Sequence, residues 1–234
     1  MTDLYRMVEK VALWTALVVS LAGIGNAGTI EGTVLVSRKL TKRRVNPAIG
    51  AYDRGTVVEL KQDTPEDALA FERERVIIYL EGDLGSRPGP PAIAKMEQEN
   101  RRFVPDTLWV PAGSVVSFPN LDPIFHNVFS LSKPKSFDLG NYPKDHTRTV
   151  TFPKPGIVFV NCHLHPNMSG VIVVTPNGWG ARADADGKFT IADVPQGSYK
   201  IVAWHKAAGF FHQQVDVGDK PVPVEFIIPL GPEK

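Results

Sequence analysis

Residues 161–170 of the chain, NCHLHPNMSG, contain its only cysteine, Cys162. They lie between two apolar runs rich in β-branched residues, Ile157–Val160 and Val171–Val174. β-branched residues favour strands, and a short apolar run bounded by turn residues is typical of a buried strand. The stretch is therefore predicted to be a tight loop that joins two buried strands, so that the surrounding domain is built from β-sheet.

The loop carries three metal-binding side chains at three-residue intervals, namely Cys162, His165 and Met168. A fourth donor, His126, lies upstream in residues 120–130, NLDPIFHNVFS. Two histidines and a cysteine with a weakly bound axial methionine form the ligand set of blue-copper electron-transfer sites. We therefore assign His126, Cys162 and His165 as the strong ligands of one copper ion, with Met168 as the axial ligand. Thiolate and thioether sulfur favour Cu(I), whereas imidazole also accepts Cu(II), which suits one-electron exchange.

Each of these residues also has a simpler interpretation. A lone cysteine is usually a small buried hydrophobic residue, and methionine is a common gap filler in cores. A lone histidine before a strand is usually an ordinary polar residue. Four donors of matching type at matching spacing are improbable by chance, so together they favour the metal site.

The pattern Cys-x-x-His-Pro-x-Met-x-Gly, with His-Asn-Val upstream, resembles the cupredoxins. The short ligand spacing is most similar to the amicyanins, small blue-copper proteins of methylamine oxidation. The resemblance covers Trp109–Ser130 and Ile157–Val174. It implies a Greek-key β-sandwich, the four ligands assigned above and a role in methylamine utilization, with a c-type cytochrome or a dehydrogenase as redox partner. It also implies that Asn127 braces the two ligand loops by hydrogen bonding.

Length and composition fit a globular protein of one large or two small domains, with 234 residues, 43% hydrophobic and 22% charged. The formal net charge of +1 argues against nucleic-acid binding. The 20 glycines and 20 prolines predict frequent turns and few long helices. No Cys-x-x-Cys-His motif occurs, so haem is not expected to be covalently attached.

Residues 1–27 are predicted to be a secretory signal peptide. Arg6 and Lys10 precede the apolar run Val11–Ile24, and small residues follow at 25–27. The run is shorter than the roughly 20 residues that span a bilayer, which disfavours the alternative of an uncleaved anchor. We expect a periplasmic or secreted protein with no stable membrane insertion after cleavage. A single cysteine there has no intrachain partner, and metal ligation accounts for it.

The predicted fold class is all-β, with a cupredoxin sandwich, a second small β-sandwich and one short helix. The helix is expected to begin after Thr64, an N-cap residue followed by proline, and to end near Glu74. Glycine- and proline-rich segments at 85–91 and 176–180 are predicted to be linkers. Strands are predicted at 28–37, 56–61, 76–80, 107–110, 115–118, 127–131, 148–152, 157–162, 170–175, 188–191, 198–204, 213–217 and 222–228.

The outer parts of the chain resemble the transthyretin-like or carboxypeptidase-regulatory β-sandwiches. The resemblance lies in Asp-x-Asp-Gly-x-Phe-x-Ile and Val-Pro-x-Gly-x-Tyr within 184–199, and in the opening strand Gly28–Val34. We therefore predict that a copper domain of residues 87–176 is inserted into a second sandwich formed by 28–86 and 177–234, with the two linkers as hinges. Limited digestion is then expected to release a stable fragment of about residues 90–176.

An electron carrier that is not an enzyme is the favoured function, because nothing in the sequence supplies a substrate pocket. Electrons are expected to pass through the His165 ring, within an apolar docking patch. That patch is predicted to comprise Leu121, Ile124, Phe125 and Pro166.

Three other functions are weighed. A multicopper oxidase or nitrite reductase is disfavoured because Asn161 replaces the first histidine of a His-Cys-His bridge, and the six histidines are too few for a trinuclear cluster. His163 is instead predicted to be a surface residue. A copper storage, delivery or sensing protein is the main alternative. A binding module, in which the second sandwich recognises a partner or a glycan, is the last. No role is assigned to His146, His205 or His212.

Overall fold

The computed structural model describes residues 27–41, 69–82, 84–85 and 93–229. Within them the chain is nearly all β, with one short helix, α1 (Ala70–Arg73), which confirms the predicted fold class. No helix in the described part has the length and hydropathy to span a membrane. The predicted signal peptide, the strand at 56–61, the helix start at Thr64 and most of the first linker lie outside the described residues.

The strands within the described ranges confirm those expected there and add several more. The strands that were not predicted are short or lie half-exposed at a sheet edge. They were not predicted because charged and polar residues interrupt their apolar pattern. In chain order the strands are β1 (Gly28–Val36), β2 (Ile77–Glu81), β3 (Ile93–Lys95), β4 (Glu97–Glu99), β5 (Arg102–Val104), β6 (Thr107–Pro111), β7 (Ser114–Pro119), β8 (His126–Ser132), β9 (Lys135–Tyr142), β10 (Thr147–Phe152), β11 (Gly156–Asn161), β12 (Ser169–Thr175), β13 (Gly180–Arg182), β14 (Lys188–Val194), β15 (Gly197–His205), β16 (Gly209–Val217) and β17 (Val222–Ile228).

Four of the sheets stack into two sandwiches. The split sandwich, named for its distant chain segments, pairs the sheet β14-β1-β17 with the sheet β13-β2-β15-β16. Its core includes Ile30, Ile78 and Phe226. The central sandwich pairs the sheet β10-β7-β3 with the five-stranded sheet β6-β12-β11-β8-β9. Its core includes Phe118 and Ile172.

A third apolar core joins the two sandwiches. Strands β2 and β15 of the split sandwich pack on the outer face of β12. Because successive residues of a strand point to opposite faces, β2 and β12 are each buried on both sides. This double burial explains why both strands are nearly uninterrupted apolar runs. The shared core comprises Ile77, Tyr79, Val171, Val173, Val202 and Trp204, with Trp109 and Ile157 packed against it.

The segment at 176–180, predicted to be a hinge-like linker, is a packed connection. Asn177 and Trp179 are buried, and Asn177 Nδ2 donates to the carbonyl of Leu80 at 2.9 Å. At Gly180 a Cβ atom would lie 2.8 Å from the Trp109 ring, so only glycine allows this approach of the two sandwiches. Glycine and proline mark the turn in the sequence, whereas its burial depends on tertiary packing.

Candidate metal centre

The start of β8 and the loop between β11 and β12 meet at one end of the central sandwich. His126 is the first residue of β8, and Asn161, the last residue of β11, pairs with Phe129. Because β8 and β11 are antiparallel neighbours, the residue after Asn161 lies beside the first residues of β8. Cys162 therefore comes next to His126, and the backbone amide of Asn127 donates to Cys162 Sγ at 3.4 Å.

Three of the four predicted ligands bring their donor atoms together. His126 Nδ1 lies 3.9 Å from Cys162 Sγ, and His165 Nδ1 lies 3.7 Å from the same sulfur. With the bond lengths known for zinc, about 2.3 Å to sulfur and 2.1 Å to imidazole, two donors on one ion lie no more than about 4.4 Å apart. Both distances meet this condition, so each histidine can share one metal ion of high sulfur affinity with Cys162. Within the described ranges no other group of three or more His, Cys, Asp or Glu side chains converges in this way.

The environment of Cys162 favours the thiolate. Burial of the thiol would raise its pKa, but hydrogen bonding with the His126 imidazole and with the backbone amides of Asn127, Leu164 and His165 outweighs this effect and lowers the pKa. The thiolate, not the thiol, is the form that binds metals. The fold therefore stabilises the charged sulfur that a metal site requires.

Asp122 orients the His126 ring. His126 Nε2 lies 2.7 Å from Asp122 Oδ2, and both side chains are buried. The same carboxylate accepts hydrogen bonds from the backbone amides of Asn100 and Arg101, between β4 and β5. Burial acts to lower the pKa of His126, but its hydrogen bonds with Cys162 and Asp122 raise it overall. A carboxylate on the outer nitrogen fixes the ring and increases the basicity of the nitrogen that faces a metal.

His165 and Met168 belong to a loop that is closed by its own backbone. The amide of Met168 donates to the carbonyl of His165 at 2.8 Å, and the amide of Cys162 donates to the carbonyl of Met168 at 3.2 Å. Partial burial lowers the pKa of His165, as does the positive charge of His126 and Arg101. Met168 is buried in the same core as Cys162. Burial is equally expected of a packing residue, so the axial role of Met168 stays a prediction.

Asn127 connects the two ligand segments through its backbone amide, whereas its side chain turns to β9. Its Nδ2 donates to Asp138 Oδ1 at 2.7 Å, and its buried Oδ1 has no hydrogen-bond partner. His163 is exposed, as predicted, and its ring stacks on Phe129 with centroids 3.7 Å apart. His163 Nε2 also lies 3.5 Å from Asp138 Oδ2. This ring therefore belongs to the outer face of the sheet rather than to the ligand group.

The two ligand segments also expose apolar side chains. Leu121 and Phe125 are 40% and 56% exposed, and Pro166 is exposed as well. Leu164, which is not among the residues of the predicted patch, is 44% exposed. Ile124 is only half-buried. Large apolar side chains at this end of the sandwich are thus accessible to another protein.

A second buried pair of histidine and carboxylate lies outside this site. His205 Nε2 is 3.3 Å from Glu72 Oε2, and neither side chain has any exposed surface. Glu72 Oε1 accepts hydrogen bonds from the Leu40 and Thr41 amides and from the Thr41 hydroxyl. Sequence reasoning assigned no role to His205, because no local pattern links it to a glutamate so distant in the chain. Asp122 was also missed, although its position four residues before His126 offered a signal.

The sequence matches no protein-family model and no curated protein. Among solved structures, reduced amicyanin in a variant form is 24% identical, with a TM-score of 0.33 over 35% of this chain and 81% of amicyanin. A purple cupredoxin from Nitrosopumilus maritimus is 22% identical, with a TM-score of 0.33 over 35% of this chain and 99% of that protein. A copper-containing nitrite reductase from Thermus scotoductus is 25% identical, with a TM-score of 0.35 over 40% of this chain and 24% of the reductase.

Proposed function

We propose that the chain is a mononuclear blue-copper protein that carries single electrons between redox partners. The observation that supports this proposal is the approach of His126 Nδ1 and His165 Nδ1 to Cys162 Sγ, at 3.9 and 3.7 Å. A copper ion bound there would supply a one-electron couple between Cu(I) and Cu(II). His126, Cys162 and His165 would hold it strongly, and Met168 would be the axial ligand.

The residues around the proposed ligands hold the ligand side chains in fixed positions. Asp122 holds His126, and the backbone amides around Cys162 hold the sulfur in place. Side chains held by such outer contacts do not have to reorganise when the charge of the site changes. Storage and delivery proteins usually bind copper at exposed sites, whereas His126 and Cys162 are buried here. Burial therefore favours the carrier over the storage, delivery or sensing alternative.

The accessible apolar side chains favour a redox protein as partner. Leu121, Phe125 and Leu164 belong to the ligand segments or lie next to them, so a partner docked on them would approach His165. Transient redox complexes use small interfaces of this kind. We propose a c-type cytochrome or a dehydrogenase, in a methylamine-utilization pathway, and a location in the periplasm after removal of residues 1–27.

Copper titration of the purified chain tests the proposal. We expect one equivalent of Cu(II) to bind and to produce an intense thiolate-to-copper visible band, with reversible oxidation and reduction. Cys162→Ser should abolish the band while the far-ultraviolet circular dichroism stays unchanged, because serine keeps the size but not the soft thiolate. A parent protein without the band, or a serine variant that retains it, would contradict the proposal.

Stability gives a second measurement. Copper that binds the folded state alone should stabilise it by about 4 kcal/mol at a thousand times the dissociation constant. The melting temperature of the parent should rise with copper, and that of Cys162→Ser should rise much less. An unchanged melting temperature at saturating copper would argue against a site preformed by folding.

A further inference from the structure

A cleft of about 690 Å³ lies between the two sandwiches. One wall comes from the split sandwich and includes Arg75, Arg182 and Lys206. The other wall comes from the central sandwich and includes Arg102 and Asn167. A volume of this size is typical of sites for small organic molecules.

The cleft is basic after its internal ion pair is counted. Among the described residues, four cationic side chains line it, and the acidic lining residues are Glu74 and Asp106. Arg75 is already engaged, because its Nε and one terminal nitrogen donate to Asp106 Oδ2 at 3.1 and 2.5 Å. The described lining therefore carries two more positive than negative side chains. This excess of positive charge favours an anionic ligand.

Two cations of the lining have no partner among the residues that the structure describes. Within the described ranges, the guanidinium groups of Arg102 and Arg182 make no hydrogen bond or ion pair with a protein group. Arg102 belongs to β5 of the central sandwich and Arg182 to β13 of the split sandwich, so both sandwiches contribute a cation. Arginine presents a planar set of donors that matches a carboxylate or a phosphate.

The rest of the lining suits an apolar group attached to that anion. Phe71, Phe103 and Pro105 line the cleft, and the guanidinium of Arg75 lies 3.3 Å from the centroid of the Phe71 ring. An aromatic or aliphatic body would bury apolar surface against these side chains. A bare inorganic ion would leave them in contact with water.

We propose that this cleft is a binding site for a small organic anion, with an apolar body and one carboxylate or phosphate held by Arg102 and Arg182. The site is separate from the proposed copper centre. Its lining nevertheless includes Asn167 and Ser169, which flank Met168 in the ligand loop. Ligand binding is therefore expected to perturb the backbone amides of that loop whether or not copper is bound.

Calorimetric titration of the copper-free full chain with benzoate and with phenyl phosphate tests the proposal. Benzyl alcohol, which has the same ring without the charge, is the matched probe. We expect saturable binding of both anions at millimolar concentration, weakened by salt, and at least about tenfold weaker binding of the alcohol. Equal binding of the alcohol, or no saturable binding of either anion, would overturn the proposal.

Paired variants locate the site. Arg102→Gln with Arg182→Gln should weaken anion binding at least about tenfold, since each charged hydrogen bond contributes more than a factor of ten to an equilibrium constant. Lys133→Gln with Lys154→Gln removes the same charge from exposed positions outside the cleft and should leave binding unchanged. Equal affinity of the two double variants would overturn the proposal. So would nuclear magnetic resonance shifts confined to residues away from Asn167, Ser169 and Ala207.

Discussion

Each sandwich buries a histidine against a carboxylate, yet the two pairs differ in what the rest of the ring can do. His126 Nε2 lies 2.7 Å from Asp122, which leaves Nδ1 facing Cys162 Sγ. His205 Nε2 lies 3.3 Å from Glu72, but its Nδ1 already accepts a hydrogen bond from the Ala207 amide at 3.2 Å. Nδ1 of His205 is therefore occupied within the protein, and Nε2 faces only the Glu72 carboxylate, without a hydrogen bond of good geometry. A buried pair of histidine and carboxylate thus becomes a candidate metal site only where one ring nitrogen remains available beside other donors.

The electrostatic surroundings also distinguish the two rings, because they shift the two histidine pKa values in opposite directions. The pKa of His126 is raised, because Cys162 and Asp122 together outweigh burial. The pKa of His205 is lowered, because burial and the charge of Arg75 outweigh Glu72. The surroundings of His126 stabilise a positive charge on its ring, and a bound metal ion would supply a positive charge in place of the proton. The second pair is a structural contact that ties α1 and residues 40–41 to the end of β15.

The largest effect should come from breaking the structural pair. Glu72→Ala removes the acceptor of three hydrogen bonds, so unfolding should become easier by about 3–5 kcal/mol, at about 1–3 kcal/mol for each donor left without a partner. Urea denaturation measures this change. Exposed Glu74→Ala, two residues away, should change stability by less than about 0.5 kcal/mol. Comparable losses in both variants, or a loss of copper affinity in folded Glu72→Ala, would remove the distinction between the two pairs.

A smaller effect should follow from weakening the metal-side pair. Asp122→Asn keeps the shape but removes the charge that holds His126, so copper affinity should fall about 10–100-fold. Competition with a copper chelator measures the affinity. Exposed Asp145→Asn is the matched control and should bind copper as the parent does. If both variants kept the parent affinity, Asp122 would have only a structural role, like that of Glu72.

The pH dependence of stability should also distinguish the pair of His205 and Glu72 from the pair of His126 and Asp122. His205 has a lowered pKa in the folded state, so between that value and about 6.5 the unfolded chain binds the extra proton. The contribution of His205 is therefore fully present above pH 6.5 and is lost as the pH falls, by at most about 1.4 kcal/mol per pH unit. Glu72, Arg75 and Asp106 are the charged groups that act on this ring.

Denaturation of the copper-free parent and of His205→Gln between pH 7.5 and 5 measures this contribution. His126 and His165 titrate in both proteins, so the difference between the two stability curves isolates His205. The parent should lose stability relative to the variant on acidification. Parallel curves, or a parent that gains relative stability in acid, would contradict burial of a neutral His205.

The smallest change in stability should come from Met168. Met168→Leu conserves volume and apolarity, so folding should weaken by less than about 1.5 kcal/mol. If Met168 is the axial ligand, the leucine variant should raise the reduction potential and Met168→Gln should lower it, because an amide oxygen is a harder donor than a thioether. Voltammetry of the copper-loaded proteins measures both shifts. Equal potentials in the parent and both variants would restrict Met168 to packing.

The sequence predicted the convergence of His126, Cys162 and His165 because all three are tied to strand ends or to one short loop. Local patterns also indicated the strands and the exposure of His163. The contact between Glu72 and His205 joins residues far apart in the chain, and no periodicity connects them. The runs at β2 and β12 showed that these strands are buried, but not that they bury their outer faces against each other. Which surfaces pair is decided by tertiary packing, and a single sequence carries little of that information.

The double burial of β12 has a consequence for mutational tolerance. In a saturation mutagenesis experiment, an ordinary sandwich strand tolerates polar residues at every second position. Val171 and Val173 face the split sandwich, whereas Ile172 and Val174 face the central core. Polar substitutions should therefore be rejected at all four consecutive positions. The two-residue alternation of tolerance that is expected of a strand should be absent here. A survey that classified secondary structure from tolerance alone would misassign this segment.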